Sequence, residues 1–155
     1  MKNTIRWGAH LLLIHLYFIL IVWLAGYFPG LALLAMGVYL VIIWQAGRFI
    51  AHATKSSSLM TLGAIGLFAQ LPGLVLAGAC LAFYLYNISV PGDAAFALQL
   101  WHTPFMPLLT FVSFPVYQGY NLYFLALFIL PVFYVLLLWA AGRTSSGQEQ
   151  SPVPR

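Results

Sequence analysis

The sequence predicts an all-α integral membrane protein with four transmembrane helices arranged as two hairpins, and an apolar, Pro-rich outer segment between the third and fourth helices. Three observations predict it. The 155 residues are 63% hydrophobic and only 5% charged, where a soluble domain carries about a quarter charged residues. The apolar residues gather into four long stretches, and lipid takes the role that water plays for a soluble chain. The six Lys and Arg residues fall only in alternate gaps between those stretches: Lys2 and Arg6 before the first, Arg48 and Lys55 between the second and third, Arg143 and Arg155 after the fourth. That alternation is the positive-inside pattern, and it places both ends in the cytoplasm.

The first span is expected over about residues 7–27. It is longer than the apolar region of a signal peptide and lacks an A-x-A-like cleavage site, so it reads as a retained anchor. Tyr27-Phe28-Pro29-Gly30 forms a tight outer turn, because Pro and Gly together interrupt a helix. The second span covers about residues 31–50, and residues 51–58 form a short polar inner loop. The third covers about 59–86, long enough to tilt, with Pro72 kinking it by freeing the carbonyl of Phe68. The fourth covers about 120–141 and is bent at Pro131. Trp7, Tyr27, Tyr86, Tyr120 and Trp139 lie near span ends, where amphipathic rings favour the interface. Residues 1–141 thus read as one membrane domain, and the Ser/Gln/Pro-rich residues 142–155 as a flexible cytoplasmic tail.

The outer segment, residues 87–119, lies outside by the charge rule and yet is mostly apolar. Its prolines at 91, 104, 107 and 115 prevent one straight helix. A short surface helix is expected over Asp93 to His102, with Asp93 as its N-cap. The remainder hugs the membrane or folds against the spans, and a re-entrant path requires protein to cover its backbone.

Within the third span, Gly63, Gly66, Gln70, Gly73 and Ala77 recur at spacings of three and four, so they share one helix face. Small residues on one face admit another helix closely. The Gln70 amide in the middle of that face needs an interhelical hydrogen bond. Packing inside the four-helix bundle is the first reading of this seam. A contact for another subunit is the second, and a ligand cleft the third. On the fourth stretch, Tyr117, Asn121, Phe124 and Phe128 form an aromatic stripe. Such stripes are usually core or lipid-facing, but with Gln70 they also suit a groove for a lipid-like molecule or quinone.

Chemistry is thinly represented. The acidic residues are Asp93 and Glu149 alone, and no Asp, Glu, Lys or Arg falls inside a predicted span except Arg48 at the inner end of the second. Ion-coupled carriers usually place an ionisable group there, and Mg²⁺-dependent phosphotransfer needs carboxylates. The charge is too sparse for a nucleic-acid surface. Cys80 is the single cysteine, which excludes an intrachain disulfide. None of the common hydrolase, zincin or nucleotide-loop motifs occurs. Asn87-Ile88-Ser89 is a formal glycosylation sequon beside the membrane, and no function is assigned to it.

The histidines are the remaining candidates. His10 and His15 are five residues apart, about 140° around a helix, so they cannot share a face. His10 and His52 meet at the inner surface if the first two spans form a hairpin. His15 is expected to hydrogen-bond Gln45, and His102 to be interfacial. The alternative role for His10, His15 and His52 is haem or metal ligation. No cofactor is expected, haem and quinone being the alternatives. The functional expectation is a non-catalytic small subunit or assembly factor of a larger membrane complex, in contact with lipid and other integral membrane subunits and not with nucleic acid. The compact loops suit a bacterial cytoplasmic membrane. The alternatives are a lipid or quinone carrier and a haem-bearing electron-transfer subunit.

Overall fold

The computed structural model describes residues 2–86, 91–109, 115–116 and 120–148, with the side chains of 2, 29, 84–85, 115–116, 120–128 and 145–148 outside the description. The described residues are helical apart from one minimal strand pairing. Helix α1 spans Lys2–Ala25, and α2 spans Pro29–Thr54. The turn between them is closed by the Phe28 N–H donating to the Ala25 carbonyl at 2.8 Å. Proline opens α2 where its missing N–H costs nothing. α2 runs four residues beyond the expected 50 and stops at Lys55, whose φ of 50° is left-handed. The Lys55 and Ser56 amides return to the carbonyls of His52 and Ala51, satisfying the orphan groups of the helix end.

The third apolar stretch is two helices joined at a sharp bend near the expected kink. α3 spans Leu59–Ala69 and α4 spans Leu71–Leu85, and their axes bend by 72°. Ser58 caps α3 through its Oγ, which accepts from the Thr61 amide at 3.2 Å. The break falls on Gln70, two residues before Pro72, because proline cannot continue the hydrogen-bond ladder of α3 and is well tolerated in the first turn of α4. After it come α5 (Gly92–Trp101), a 3₁₀ turn (Thr103–Phe105) and α6 (Met106–Leu109). Pro91, not Asp93, occupies the N-cap of α5, and Asp93 lies in its first turn without a side-chain cap bond. Strand β1 (Pro115–Val116) pairs antiparallel with β2 (Tyr120–Asn121), and α7 follows over Leu122–Gln148. Residues 142–148, expected as flexible tail, therefore continue the last helix.

Side-chain contacts give the helix directions. Trp7 meets Phe49, and Phe18 meets Tyr39, with ring centroids 5.5 and 5.1 Å apart, so α1 and α2 are antiparallel. Gly47 faces Leu138 and Ala141, and Gly142 faces Ala51, so α2 and α7 are parallel. Gly142 also faces Leu62 and Gly66 faces Val135, so α3 runs against α7. One end of the bundle therefore collects the start of α1, the end of α2, the start of α3 and the end of α7. Arg6, Arg48, Lys55 and Arg143 all belong to that end, and Arg143 stacks over Trp139 at 5.1 Å.

The core is apolar: Leu11, Phe18, Tyr39, Ile43, Ile50, Leu62, Ile65, Tyr134 and Leu138 are almost fully buried. The outer faces are apolar too, with Leu13, Tyr17, Leu20 and Trp23 of α1 and Leu34, Val38 and Val41 of α2 exposed. A helix that is apolar on all sides is at home in lipid. Two helices, Asn3–Ala25 and Gly30–Thr54, are long and apolar enough to cross a membrane, and the bent α3–α4 pair makes a third if it acts as one span. The apolar part of α7 within the described residues, Ile129–Thr144, is shorter.

Candidate functional site

Within the outer segment, residues 101–105 do not stay at the surface but fold against the spans. α5 packs on α4, the 3₁₀ turn packs on α1 and α2, and Trp101 through Phe105 are all buried. His102, expected at the interface, is 1% exposed. This insertion builds the one concentrated polar site of the described core.

His15 is at its centre. The Nε2 atom lies 3.0 Å from the Trp101 carbonyl oxygen, and Nδ1 lies 2.6 Å from the Tyr39 hydroxyl. A carbonyl only accepts, so Nε2 carries the proton. In the neutral ring Nδ1 is then an acceptor, and the Tyr39 hydroxyl donates to it. The expected partner, Gln45, is instead exposed on α2. The inserted segment brings a backbone carbonyl to one ring nitrogen, and Tyr39 of α2 takes the other. Aromatic rings close the shell, with Trp101 at 4.7 Å, Tyr39 at 5.8 Å and Tyr134 at 6.3 Å from the imidazole centroid.

Trp101 makes the second link. Its indole Nε1 donates to Gln70 Oε1 at 3.0 Å, so one residue ties α1 through its carbonyl and the α3–α4 break through its ring. Gly73 makes room for that ring. A Cβ there would collide with Nε1 and Cδ1 of the indole. Gly63 and Gly66 face Val135 of α7, and Gln70, Gly73 and Ala77 are buried. The neighbours found along the small-residue seam are thus α7 and Trp101 of the same chain. Removing the indole donor by Trp101→Phe leaves the Gln70 carbonyl oxygen buried without a partner, and is expected to lower stability by about 1–3 kcal/mol. Thermal denaturation in detergent checks this, and an unchanged midpoint would contradict it.

The other candidate residues lie apart from this site. His10 is exposed on α1, and its Nδ1 donates to the Arg6 carbonyl at 2.7 Å. His52 is exposed in the last turn of α2. His15 has both nitrogens engaged, so neither is available to iron without breaking a buried bond. Among the described residues no three His, Cys, Asp or Glu side chains come together. Cys80 is buried. The side chains of Asn121, Phe124 and Phe128, expected to line a groove with Gln70, lie outside the described residues, as do Tyr117 and the sequon at 87–89.

Tyr39, Trp101, Tyr134 and His102 were not singled out as partners by their pattern in the sequence. One signal was present for the tyrosines: both sit in the middle of an apolar stretch, away from the interfaces that suit their hydroxyls. No protein-family model, no curated protein and no solved structure matches the chain.

Proposed function

We propose that this chain is a non-catalytic small subunit or assembly factor of a larger membrane complex. One observation carries the reading. The histidine best placed for chemistry has both ring nitrogens engaged in packing, Nε2 with the Trp101 carbonyl of the inserted segment and Nδ1 with the Tyr39 hydroxyl of α2. The polar groups of the core thereby serve architecture, giving a fixed apolar body that other membrane subunits or lipid can cover. In this reading the α3–α4 pair and α7 complete a four-span topology, with both ends in the cytoplasm. The gathering of Arg6, Arg48, Lys55 and Arg143 at one end of the bundle supports that orientation. It also suits contact with anionic headgroups. The partners are integral membrane subunits and lipid, and the setting is a cytoplasmic membrane of bacterial type.

The test is extraction of the native membrane in mild detergent, followed by a native gel and an absorption spectrum of the same fraction. Co-migration with a stoichiometric larger assembly and no Soret band is expected. Migration as a bare monomer with every other membrane protein present would refute the subunit reading, and a haem band would replace it with electron transfer.

A further inference from the structure

Three buried polar atoms around the His15–Trp101 link have no hydrogen-bond partner among the described residues: Gln70 Nε2, Tyr134 Oη and His102 Nε2. Their residues are 1%, 0% and 1% exposed. Such groups are rare, and each calls for an explanation. We propose that they form a binding site for one neutral hydroxyl-type oxygen, belonging to a water molecule or to the hydroxyl head of a membrane-dissolved lipid.

Placement brings the three residues to one region of the core. α3 runs against α7 with Leu62 beside Gly142 and Gly66 beside Val135 and Leu138. One turn further along α3, Gln70 is level with Pro131 to Tyr134 on α7. Gln70 is hydrogen-bonded to Trp101, the residue before His102, while Trp101 and Tyr134 both lie in ring contact with His15. The site thus lies where the α3–α4 break, α7 and the inserted segment converge.

Hydrogen-bond chemistry selects the guest. The Gln70 amide nitrogen only donates. His102 Nδ1 lies 2.9 Å from the Leu98 carbonyl and must donate to it, which leaves Nε2 of the neutral ring as an acceptor. Tyr134 can do either. A bare carbonyl has no proton to give His102. A cation is repelled by the amide protons of Gln70, and an anion by the His102 lone pair, with no charged side chain nearby to offset it. A hydroxyl oxygen accepts from Gln70 and Tyr134 and donates to His102. Three bonds is the usual complement of a buried water.

The test is solid-state NMR of the full-length, ¹⁵N-labelled protein in phosphatidylcholine vesicles. The His102 Nε2 resonance is expected at the position of a hydrogen-bonded imine nitrogen. Magnetisation transfer from water protons to the Gln70 side-chain amide identifies water. No transfer, together with a stoichiometric hydroxylated lipid in the solvent extract of the purified protein, identifies a lipid hydroxyl. Tyr134→Phe, which keeps the ring, is expected to move the His102 signal toward the bare-imine position. A bare-imine resonance in the unaltered protein would overturn the proposal, and that spectrum decides even if the variant fails to fold. So would a His102 signal unmoved by the variant.

Discussion

Replacing His15 with leucine is expected to destabilise the protein by about 2–4 kcal/mol and to free the inserted segment from the bundle. The magnitude follows from what the substitution strands. Leucine fills a similar volume, so the loss is mainly polar. The Tyr39 hydroxyl loses its acceptor and the Trp101 carbonyl its donor, both on buried residues. An orphaned buried group costs about 1–3 kcal/mol. Interhelical hydrogen bonds in membranes average nearer 0.6 kcal/mol, because the unfolded chain in lipid also finds partners. Two stranded groups at about 1–2 kcal/mol each, the lower part of the first range, give about 2–4 kcal/mol. The measurement is the thermal midpoint in detergent, paired with limited proteolysis between α4 and α6. Faster cleavage there is expected, since the Trp101 carbonyl is the link from this segment to α1. Tyr39→Phe strands only Nδ1 and should cost less than His15→Leu. An equal or larger cost for Tyr39→Phe would mean that His15 does not hold the segment.

The second large effect belongs to a glycine. Gly47→Ala adds a single methyl, yet its Cβ would lie 2.6 Å from the Leu138 carbonyl oxygen and 2.9 Å from Ala141 Cβ. Neither neighbour is the tip of a flexible side chain, so α2 and α7 must move apart. Overpacking of this kind costs about 1–3 kcal/mol, set against the roughly 0.5–1 kcal/mol that alanine gains over glycine within a helix. A net loss of stability is expected. Gly37→Ala is the matched control. It lies on the same helix with nothing within 4 Å of the added Cβ, so only the helical gain remains. The two variants should therefore shift the thermal midpoint in opposite directions. A stabilising Gly47→Ala would mean that α2 and α7 do not approach at this point.

How much of this was legible in the sequence varies by element. The Tyr27–Gly30 turn, the helices that flank it and the helix within the outer segment follow from local chemistry, proline and glycine above all. The break in the third stretch was legible at Pro72, but its size was not. Proline removes one backbone bond, whereas the 72° bend lets α3 meet α7 while α4 packs on α5. The need of Gln70 for a partner was readable from its polarity among small residues. The identity of that partner was not, because Trp101 lies 31 residues away across the outer segment.

By itself the sequence determined the helical class, the presence of stretches apolar enough to cross a membrane, the alternation of basic residues and the scarcity of charge in those stretches, since composition and period are local properties that the solvent reads directly. Only the tertiary structure decided that residues 101–105 of the outer segment enter the bundle, that His15 takes Tyr39 and a backbone carbonyl instead of Gln45, and that His102 is interior. The physical reason is that a buried polar group must find whichever partner the packed helices bring within about 3 Å. Packing sets that proximity between residues far apart in the chain, and no local pattern records it.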